Sequence, residues 1–404
     1  CMDVRTGAAA SGAVLLATLG ARPGTTEAAT TRAVATLSSP GCSTLAAPAP
    51  QLSGVKTNLL SGPVAPFGVV TTRDSRSAFV ADSFGAIFEY ALGTGSPRFE
   101  KKISFQTNGA SPNQPPSPAE ISPLGLALTP DGHYLVAAAG SGAVVFDVAN
   151  IERRHSRSSS WVIGHFRSKG QEAIEVAVSP DGKYVFVTLE DSDDLAVFDL
   201  RAALRKGFHR SDLVGTVPLG VAPVGMALSP DGRYLYVTSE GRSEGTLTTL
   251  DISMAERSPS RSIVSTVDAG CSPVRVVATS TYVYVTARGS DSVLEFQAAD
   301  LVDDPAAALL NEVQVGETPV GLALVEQDRA LVVSDSDRFA APGQGADLAF
   351  VSIGSGGSLQ LEGYLSSGSF PRDMAASRNG RWLVVSNYLS SQVEIVDLST
   401  LPHT

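Results

Sequence analysis

Short runs of alternating hydrophobic and polar residues recur along the chain, and each predicts a β-strand. The run Tyr234–Thr238 alternates with a period of two and is rich in aromatic and β-branched residues. Immediately before it, Ser229–Gly232 reads Ser-Pro-Asp-Gly, which favours a tight turn with Pro at the second position and Gly at the fourth. The pattern therefore predicts two antiparallel strands joined by a tight turn.

Four strands are predicted in the unit that contains this turn. We expect them at Gly225–Ser229 (strand A), Tyr234–Thr238 (strand B), Thr246–Ile252 (strand C) and Ile263–Val267 (strand D). The chain then reaches Pro273, where the next strand A begins. One unit is therefore expected to form a four-stranded antiparallel sheet.

The same unit recurs along the chain, usually with a proline near its start. We take the second residue after that proline, or its equivalent, as the anchor of each copy, which gives Gly68, Gly125, Glu175, Gly225, Arg275, Gly321 and Asp373. Successive anchors are 57, 50, 50, 50, 46 and 52 residues apart. Spacings of this size indicate a propeller or a solenoid and argue against independent domains.

The two ends of the chain predict how the ring closes. The last copy supplies strands at Asp373–Ser377, Trp382–Ser386 and Val393–Leu398, and the sequence stops at Thr404 before a fourth strand. Residues 54–66 resemble residues 214–223, which form a strand D and the loop after it. We therefore predict an all-β, seven-bladed β-propeller of four-stranded antiparallel blades, whose last blade is closed by the amino-terminal strand.

Three copies of strand B share a short motif. Residues 235–238, 283–286 and 185–188 read Leu-Tyr-Val-Thr, Val-Tyr-Val-Thr and Val-Phe-Val-Thr, and Ser-Pro-Asp-Gly precedes two of them. On these residues the chain resembles the YVTN β-propeller repeat family over about residues 52–400. The resemblance implies a propeller. It leaves the activity open, because that family resembles lactonases, quinoprotein-type domains, surface-layer proteins and binding modules alike.

The composition excludes several classes of protein. With 404 residues, of which 43% are hydrophobic and 18% charged, the chain is globular. A formal net charge of −11 argues against a nucleic-acid partner, which needs a basic surface. No run approaches the ~20 apolar residues of a transmembrane span.

Cys and His spacings typical of metal or haem sites do not occur, so we expect no metal and no cofactor. Whether Cys42 and Cys271 form a disulfide is an open question at this point.

The first 51 residues differ from the rest of the chain. Residues 2–5 with the apolar stretch Gly7–Leu19 are typical of a secretory signal, and residues 23–51 are rich in Ala, Thr, Pro and Ser. We therefore predict a signal-like or flexible leader at 1–51, a propeller domain at 52–404, and a secreted or cell-envelope location. The alternative is an apolar tail with no targeting role.

Three anchors carry charge where the other four are glycine. Strand A of a propeller lines the central channel, so Glu175, Arg275 and Asp373 should converge at one mouth of that channel, and we predict them as the catalytic residues. The rim at the same face is predicted to bind substrate through Arg372, Asp82, Glu190, Glu240, Arg288, Asp335, Arg338, Asn387 and Tyr388. The alternative is that the three anchor charges only pair with one another and seal the axis.

Two longer connections lie on the same predicted face. Asn108–Ser122 lengthens one loop between strands D and A, and Phe339–Gly345 lengthens one loop between strands B and C. Long loops over a rigid scaffold often carry function, so the first is a candidate for a partial lid. An insertion without a role is the alternative.

The predicted function is a cofactor-independent enzyme that binds a small organic molecule at the axial mouth. In a lactonase-like hydrolase, Glu175 or Asp373 would position or deprotonate water, and Arg275 with Arg372 would bind a carboxylate or stabilise an oxyanion. No predicted rim position carries histidine. A natural-product cyclase, including the cycloaddition type, would need mainly a shaped apolar pocket. The alternative is an exported, non-catalytic binding or scaffold propeller for a protein or glycan.

Overall fold

Seven four-stranded antiparallel sheets form a ring of blades in the computed structural model of the protein. The structure describes residue 42 and residues 46–93, 95–104, 122–153, 161–241, 244–337, 346–354 and 356–401. The first strand of each blade contacts the first strand of the next, and the seventh blade contacts the first in the same way. The prediction of an all-β, seven-bladed propeller is therefore confirmed.

The first four blades follow one another along the chain. Blade 1 contains β2 (Pro66–Thr71), β3 (Ser77–Asp82), β4 (Ala86–Ala91) and β5 (Arg98–Ser104), and blade 2 contains β6 (Leu126–Leu128), β7 (Tyr134–Ala139), β8 (Gly142–Asp147) and β9 (Val162–Arg167). Blade 3 contains β10 (Ala173–Val178), β11 (Tyr184–Leu189), β12 (Asp194–Asp199) and β13 (Leu213–Pro218), and blade 4 contains β14 (Pro223–Leu228), β15 (Tyr234–Ser239), β16 (Thr246–Asp251) and β17 (Ile263–Asp268).

The last three blades complete the ring. Blade 5 contains β18 (Pro273–Ala278), β19 (Tyr282–Ala287), β20 (Ser292–Gln297) and β21 (Leu309–Gln314), and blade 6 contains β22 (Pro319–Val325), β23 (Ala330–Asp335), β24 (Ala346–Ile353) and β25 (Leu359–Ser367). Blade 7 contains β26 (Pro371–Ala376), β27 (Trp382–Asn387), β28 (Gln392–Asp397) and β1 (Lys56–Ser61). Four short helices follow strand C in blades 2 to 5, at Val148–Glu152, Leu200–Lys206, Ile252–Ala255 and Asp300–Asp303.

Blade 7 is built from both ends of the chain. Strand β1 pairs antiparallel with β28, and the register runs from Lys56 opposite Asp397 to Ser61 opposite Gln392. The backbone N–H of Lys56 also donates to Thr400 Oγ1 at 2.8 Å. The predicted closure of the last blade by the amino-terminal strand is therefore confirmed.

Neighbouring blades approach closely at the anchor position Gly225. A Cβ atom on Gly225 would lie 2.1 Å from the backbone oxygen of Val274 in the next blade, so no side chain fits there. The threonine that ends the Tyr-Val-Thr motif bridges the same gap, because Thr238 Oγ1 donates to Val274 O at 2.7 Å. Thr286 Oγ1 likewise donates to Val320 O at 3.0 Å. Glycine and threonine at these repeat positions therefore join the inner strands into a ring.

The amino-terminal segment before β1 lies against the propeller. The N–H of Leu52 donates to Tyr364 O at 2.7 Å, and the N–H of Tyr364 donates to Pro50 O at 2.9 Å. Farther back, Cys42 forms a disulfide with Cys271 in the loop between blades 4 and 5. Most of the predicted leader, residues 1–41 and 43–45, lies outside the described residues. Within the described ranges, no helix is both long and apolar enough to cross a bilayer.

We expect the Cys42–Cys271 disulfide to stabilise the fold measurably. The bond joins residues 229 positions apart, so breaking it increases the conformational entropy of the unfolded chain. The Cys42→Ser variant should lose about 2–5 kcal/mol of unfolding free energy. Thermal melts with and without dithiothreitol would measure this, with Cys1→Ser as a control that leaves the bond in place. Identical melting in both redox states would contradict the prediction.

Candidate functional site

A cavity of about 980 Å³ opens at the axial mouth of the ring. Loops between strands D and A and between strands B and C line it, together with the starts of the inner strands. One residue from each blade, immediately before the anchor, lines this cavity: Phe67, Leu124, Ile174, Val224, Val274, Val320 and Arg372. Six of these seven equivalent positions are apolar and the seventh is a guanidinium. We call them the cavity ring.

The three charged anchors meet at the axis, one residue farther along the inner strands. Arg275 lies between the two carboxylates, with Nη2 3.4 Å from Glu175 Oε2 and Nε 3.3 Å from Asp373 Oδ1. Its Nη1 donates to Val224 O at 3.3 Å. The structure therefore brings together the three residues that the sequence predicts to converge, although they come from blades 3, 5 and 7.

We call Glu175, Arg275 and Asp373 the triad, and burial affects the pKa values of Glu175 and Arg275 within it. The side chains of Arg275, Glu175 and Asp373 are only 8%, 13% and 14% exposed. Burial raises the pKa of Glu175 to about 7, with Arg275 lowering it and Asp373 raising it. Burial alone would lower the pKa of Arg275, but the carboxylates of Asp373 and Glu175 outweigh it and raise that pKa. The guanidinium therefore stays charged, while Glu175 titrates near neutral pH.

The triad orients the arginine toward the cavity. Arg275 lines the cavity, whereas neither Glu175 nor Asp373 does. Asp373 is fixed from behind, because its Oδ2 accepts the backbone N–H of Val69 at 2.9 Å. Arg275 Nη2 is buried and faces Glu175 Oε2 at 3.4 Å, so the carboxylate of Glu175 is its partner.

Aromatic residues form the wall of the cavity on blades 7 and 1. The Arg372 guanidinium lies 3.7 Å from the centre of the Phe67 ring, a cation–π distance. Phe370 and Tyr388 pack edge to face beside it, with ring centres 5.7 Å apart. Phe84 lines the same side at the rim. We call Phe67, Phe84, Phe370 and Tyr388 the aromatic wall.

Acidic residues form the wall on blade 3. Glu172, Glu190 and Asp191 line the cavity there, and we call them the blade 3 carboxyl cluster. Burial raises the pKa of Glu190 to about 7, with further increases from Glu172, Glu240 and Asp191 and a decrease from Arg372. Burial and the neighbouring Asp191 raise the pKa of Glu172 as well. Among the described residues, Arg372 therefore offsets only part of the negative charge around Glu190.

Beside this cluster, Glu240 and Arg288 form a bidentate ion pair. Arg288 Nη2 lies 3.0 Å from Glu240 Oε2, and Nη1 lies 3.2 Å from Oε1. Both residues line the cavity. The structure therefore places six of the twelve predicted site residues on the cavity wall: Arg275, Arg372, Glu190, Glu240, Arg288 and Tyr388.

The other predicted rim residues lie elsewhere. Asp82, Asp335 and Asn387 end strand B of their blades, and their side chains are buried within the fold. Asp82 Oδ1 accepts the N–H of Ala65 at 3.1 Å, and burial raises the pKa of Asp335 well above its usual range. Asn387 Nδ2 donates to Glu394 at 3.0 Å. Asp82 and Asn387 thus bind neighbouring protein groups, and none of the three residues lines the cavity.

Several predicted features lie outside the described residues. These are Arg338, the insertion Phe339–Gly345 and all but the last residue of the candidate lid Asn108–Ser122. Some lining residues, among them Glu172 and Phe67, are not among the predicted site residues. Glu172 comes from a loop with no repeat motif, whereas Phe67 stands immediately before an anchor, as Arg372 does. An alignment of the copies at the position before the anchor indicates the cavity ring.

Metal ligation finds no support in the part of the chain that the structure describes. There, no group of three or more His, Cys, Asp and Glu side chains has an arrangement that would hold a metal ion. The described cavity lining contains no histidine either. The described wall offers guanidinium donors, carboxyl groups, hydroxyl groups, one amide side chain and apolar surface.

Comparison with known proteins agrees with this architecture. No curated protein sequence matches the chain. Among solved structures, hydrazine synthase from Kuenenia stuttgartiensis is similar, with a TM-score of 0.63, 15% sequence identity, and coverage of 84% of this chain and 97% of that one. At that identity the likeness shows the fold alone. The profile of the family described as "Lactonase, 7-bladed beta-propeller" matches residues 98–342, more than half of the sequence. The chain therefore belongs to the lactonase family of seven-bladed β-propellers.

Proposed function

We propose that the protein is a cofactor-independent enzyme that hydrolyses a cyclic ester bound in the axial cavity. The observation that carries the proposal is the guanidinium of Arg275, which lines the cavity and is held there between the carboxylates of Glu175 and Asp373. A fixed donor of this kind stabilises the negative charge that develops on a carbonyl oxygen during ester cleavage. Membership of the lactonase family supports a cyclic ester as the substrate class.

The carboxyl best placed to move a proton is Glu190. It lines the cavity and its pKa is raised to about 7, close to the ideal for a general base at neutral pH. Glu175 and Asp373 flank Arg275 and do not line the cavity, so we assign them the positioning of that guanidinium. Proton transfer is thus assigned to the rim, whereas the sequence predicts it at the anchors Glu175 or Asp373.

The reaction follows from these roles. Glu190 takes a proton from water as the water oxygen attacks the carbonyl carbon, and the carbonyl electron pair moves onto oxygen beside Arg275 and Arg372. The intermediate then re-forms the carbonyl and breaks the bond between that carbon and the ring oxygen. Glu190 returns its proton to the departing alkoxide, which yields a hydroxy acid and restores the enzyme.

A second candidate is cyclisation of a small organic molecule. It is favoured by the cavity ring, in which six of seven positions are apolar. Such a reaction needs a shaped apolar surface that holds two reacting ends together, with one or two hydrogen-bond donors. A non-catalytic scaffold is less well supported, because a flat rim would suit a protein or glycan better than a cavity of about 980 Å³.

We also propose that the protein works in an oxidising compartment, either secreted or in the cell envelope. The Cys42–Cys271 disulfide supports this location, because such bonds persist outside the reducing cytosol. The signal-like pattern at Gly7–Leu19 points the same way. Free-thiol labelling of protein from its native source would test it, since a location in the reducing cytosol would leave both cysteines reactive.

The hydrolase proposal is tested by titrating the acid released from a panel of lactones at constant pH. We expect Arg372→Ala and Glu190→Gln each to lower kcat/KM by roughly 100-fold or more. In the wild type, activity should rise with pH as Glu190 ionises, with its midpoint near 7. Glu312→Gln, which removes an exposed carboxyl from β21, is the matched control and should leave kcat/KM unchanged.

Two results would overturn the hydrolase. One is a complete lack of lactone hydrolysis together with no lactone-induced rise in melting temperature, because a ligand that binds only the native state stabilises it. The other is hydrolysis that Glu190→Gln and Arg372→Ala leave intact. Lactone binding without hydrolysis would favour the cyclase.

A further inference from the structure

The aromatic wall does not end at the edge of the axial cavity. Phe67 and Phe370, at its inner end, are each 6% exposed, whereas Phe84, at its outer end, is 73% exposed. Beyond the cavity, Leu389 in the loop between β27 and β28 is 60% exposed, and Val64 in the loop between β1 and β2 is 57% exposed. We call Val64, Phe84 and Leu389 the apolar rim. An apolar surface thus runs from the cavity ring to the outer edge of blades 7 and 1.

Hydrogen bonds hold the loops of the apolar rim together. The buried carboxylate of Asp82 accepts the backbone N–H of Val64 at Oδ2 and that of Phe84 at Oδ1, both at 3.3 Å. Ser391 Oγ donates to Val64 O at 2.6 Å, which joins the same loop to the loop of blade 7 that carries Leu389. The three exposed side chains therefore stand on loops that are bonded to one another.

The apolar rim continues the wall of the cavity. Single exposed apolar residues are common on protein surfaces, whereas neighbouring ones beside a cavity are typical of a surface that a ligand covers. Phe84 belongs to both the aromatic wall and the apolar rim, so the two surfaces form one. The group that covers the rim is therefore part of the molecule that binds in the cavity.

Two further features of the cavity favour an extended apolar ligand on this side. On blade 3 the carboxyl cluster lines the cavity, and covering charged carboxyls with an alkyl chain would cost desolvation energy. The cavity volume of about 980 Å³ lies at the upper end of the range, roughly 300–1,000 Å³, that holds drug-sized ligands. A simple lactone ring is far smaller than such a ligand. A substrate that fills the cavity therefore carries a further group.

Building on the proposed hydrolase, we propose that the substrate is a lactone that carries an alkyl chain of several carbons. The ester lies beside Arg275, and the chain leaves the cavity between blades 7 and 1, over Tyr388 and Phe84 to the apolar rim. Phe84 is thus a specificity-determining residue. Asp82 is a positioning residue, because it holds the loops of the rim and does not line the cavity.

The test uses lactones that share one ring and differ only in chain length: γ-butyrolactone, γ-hexalactone, γ-octalactone and γ-decalactone. We expect kcat/KM to rise roughly fivefold for each two carbons added, because burial of each methylene group is favourable. Phe84→Ser should reduce the preference for γ-decalactone over γ-butyrolactone about tenfold, and Leu389→Ser should reduce it by a smaller factor. The matched control is Leu59→Ser, which removes a similarly exposed leucine from β1 of blade 7 outside the cavity and should keep the preference.

The role of Asp82 is tested by two variants of that residue. Asp82→Ala removes the acceptor for Val64 and Phe84 and should lower the preference for the longer lactones. Asp82→Asn keeps an oxygen for the N–H groups of Ala65 and Phe84 and should restore most of the preference. A general loss of stability would lower the rates for all four lactones by the same factor, so the preference reports the position of the rim. An Asp82→Ala variant with the wild-type preference would show that Asp82 does not position it.

Binding measurements separate this inference from the hydrolase. Isothermal titration of the four lactones into Glu190→Gln gives dissociation constants that do not depend on turnover. If these constants fall with chain length while the wild type hydrolyses none of the lactones, the alkyl chain is supported and the hydrolase alone is overturned. Equal kcat/KM values along the series, or a preference that Phe84→Ser and Leu389→Ser both leave intact, overturns the alkyl chain and leaves lactone hydrolysis untouched. Failure of every lactone to bind overturns both.

Discussion

Replacing Arg275 with leucine is expected to lower the free energy of unfolding by about 3–5 kcal/mol at pH 8. The substitution removes the cation that lies between Glu175 and Asp373, with both carboxylates almost fully buried. Leucine fills much of the volume but cannot compensate either charge. Two like charges would then face each other near the axis without a partner, and burial of an unpaired charge is among the most destabilising changes known in proteins.

The size of this loss should depend on pH. Removing the guanidinium raises the folded-state pKa of Glu175 further, because it takes away the charge that favours the ionised form of that carboxyl. A group with a raised folded pKa binds more protons in the folded state, so its contribution is present at low pH and is lost as the pH rises. In the wild type, Glu175 already behaves in this way, with a pKa of about 7. The variant should therefore lie closest to the wild type near pH 4.5 and fall farthest behind at pH 8.

Chemical denaturation at several pH values measures this effect. The triple variant Glu175→Gln, Arg275→Leu, Asp373→Asn removes all three charges and should recover much of the lost stability. Arg76→Leu, at an exposed arginine near Asp74, is the matched control and should leave the unfolding midpoint unchanged. An Arg275→Leu protein that is as stable as the wild type at pH 8 would show that the triad contributes no net stability.

The fold could be predicted closely because the same strand and turn signals recur in the repeats. A strand is predicted at Tyr234–Thr238, and these residues lie within β15. The alternating pattern, the residues of the preceding turn and the β-branched side chains all favour a strand there. Anchor spacing then gave the number of blades. The anchor occupies an equivalent position in every blade. Glu175, Arg275 and Asp373 therefore meet at the axis, although about 100 residues separate each from the next.

The site could be predicted only in part, because one residue at the end of strand B separates a buried position from a cavity position. Asp82 is the last residue of its strand B and is buried, with Oδ1 accepting the N–H of Ala65, whereas Glu190 is the first residue after its strand B and lines the cavity. The boundary of strand B has to be known to one residue before the two positions can be told apart. The Cys42–Cys271 pairing does not follow from the repeats, since it depends on where a segment outside them lies against the ring.

Removing strand β1 is expected to abolish cooperative unfolding of the whole propeller. Without it, β28 would expose a row of unpaired backbone groups at the edge of blade 7. Leu60 packs against the cluster that contains the buried residues Val393 and Ile395, so part of the core between blades 7 and 1 would be lost as well. The ring depends on each blade packing on the next, and a defect in one blade therefore weakens both of its neighbours.

Two truncated chains isolate this strand. A chain that begins at Gly54 keeps β1, whereas one that begins at Pro63 lacks it, and neither contains Cys42. Calorimetry should show one cooperative transition for the first chain and aggregation or a broad, weak transition for the second. A synthetic peptide of residues 54–62 should partly restore the transition by pairing with β28. If the chain that begins at Pro63 melts cooperatively within a few degrees of the other, β1 does not hold the ring closed, and the contacts among the inner strands would have to be sufficient on their own.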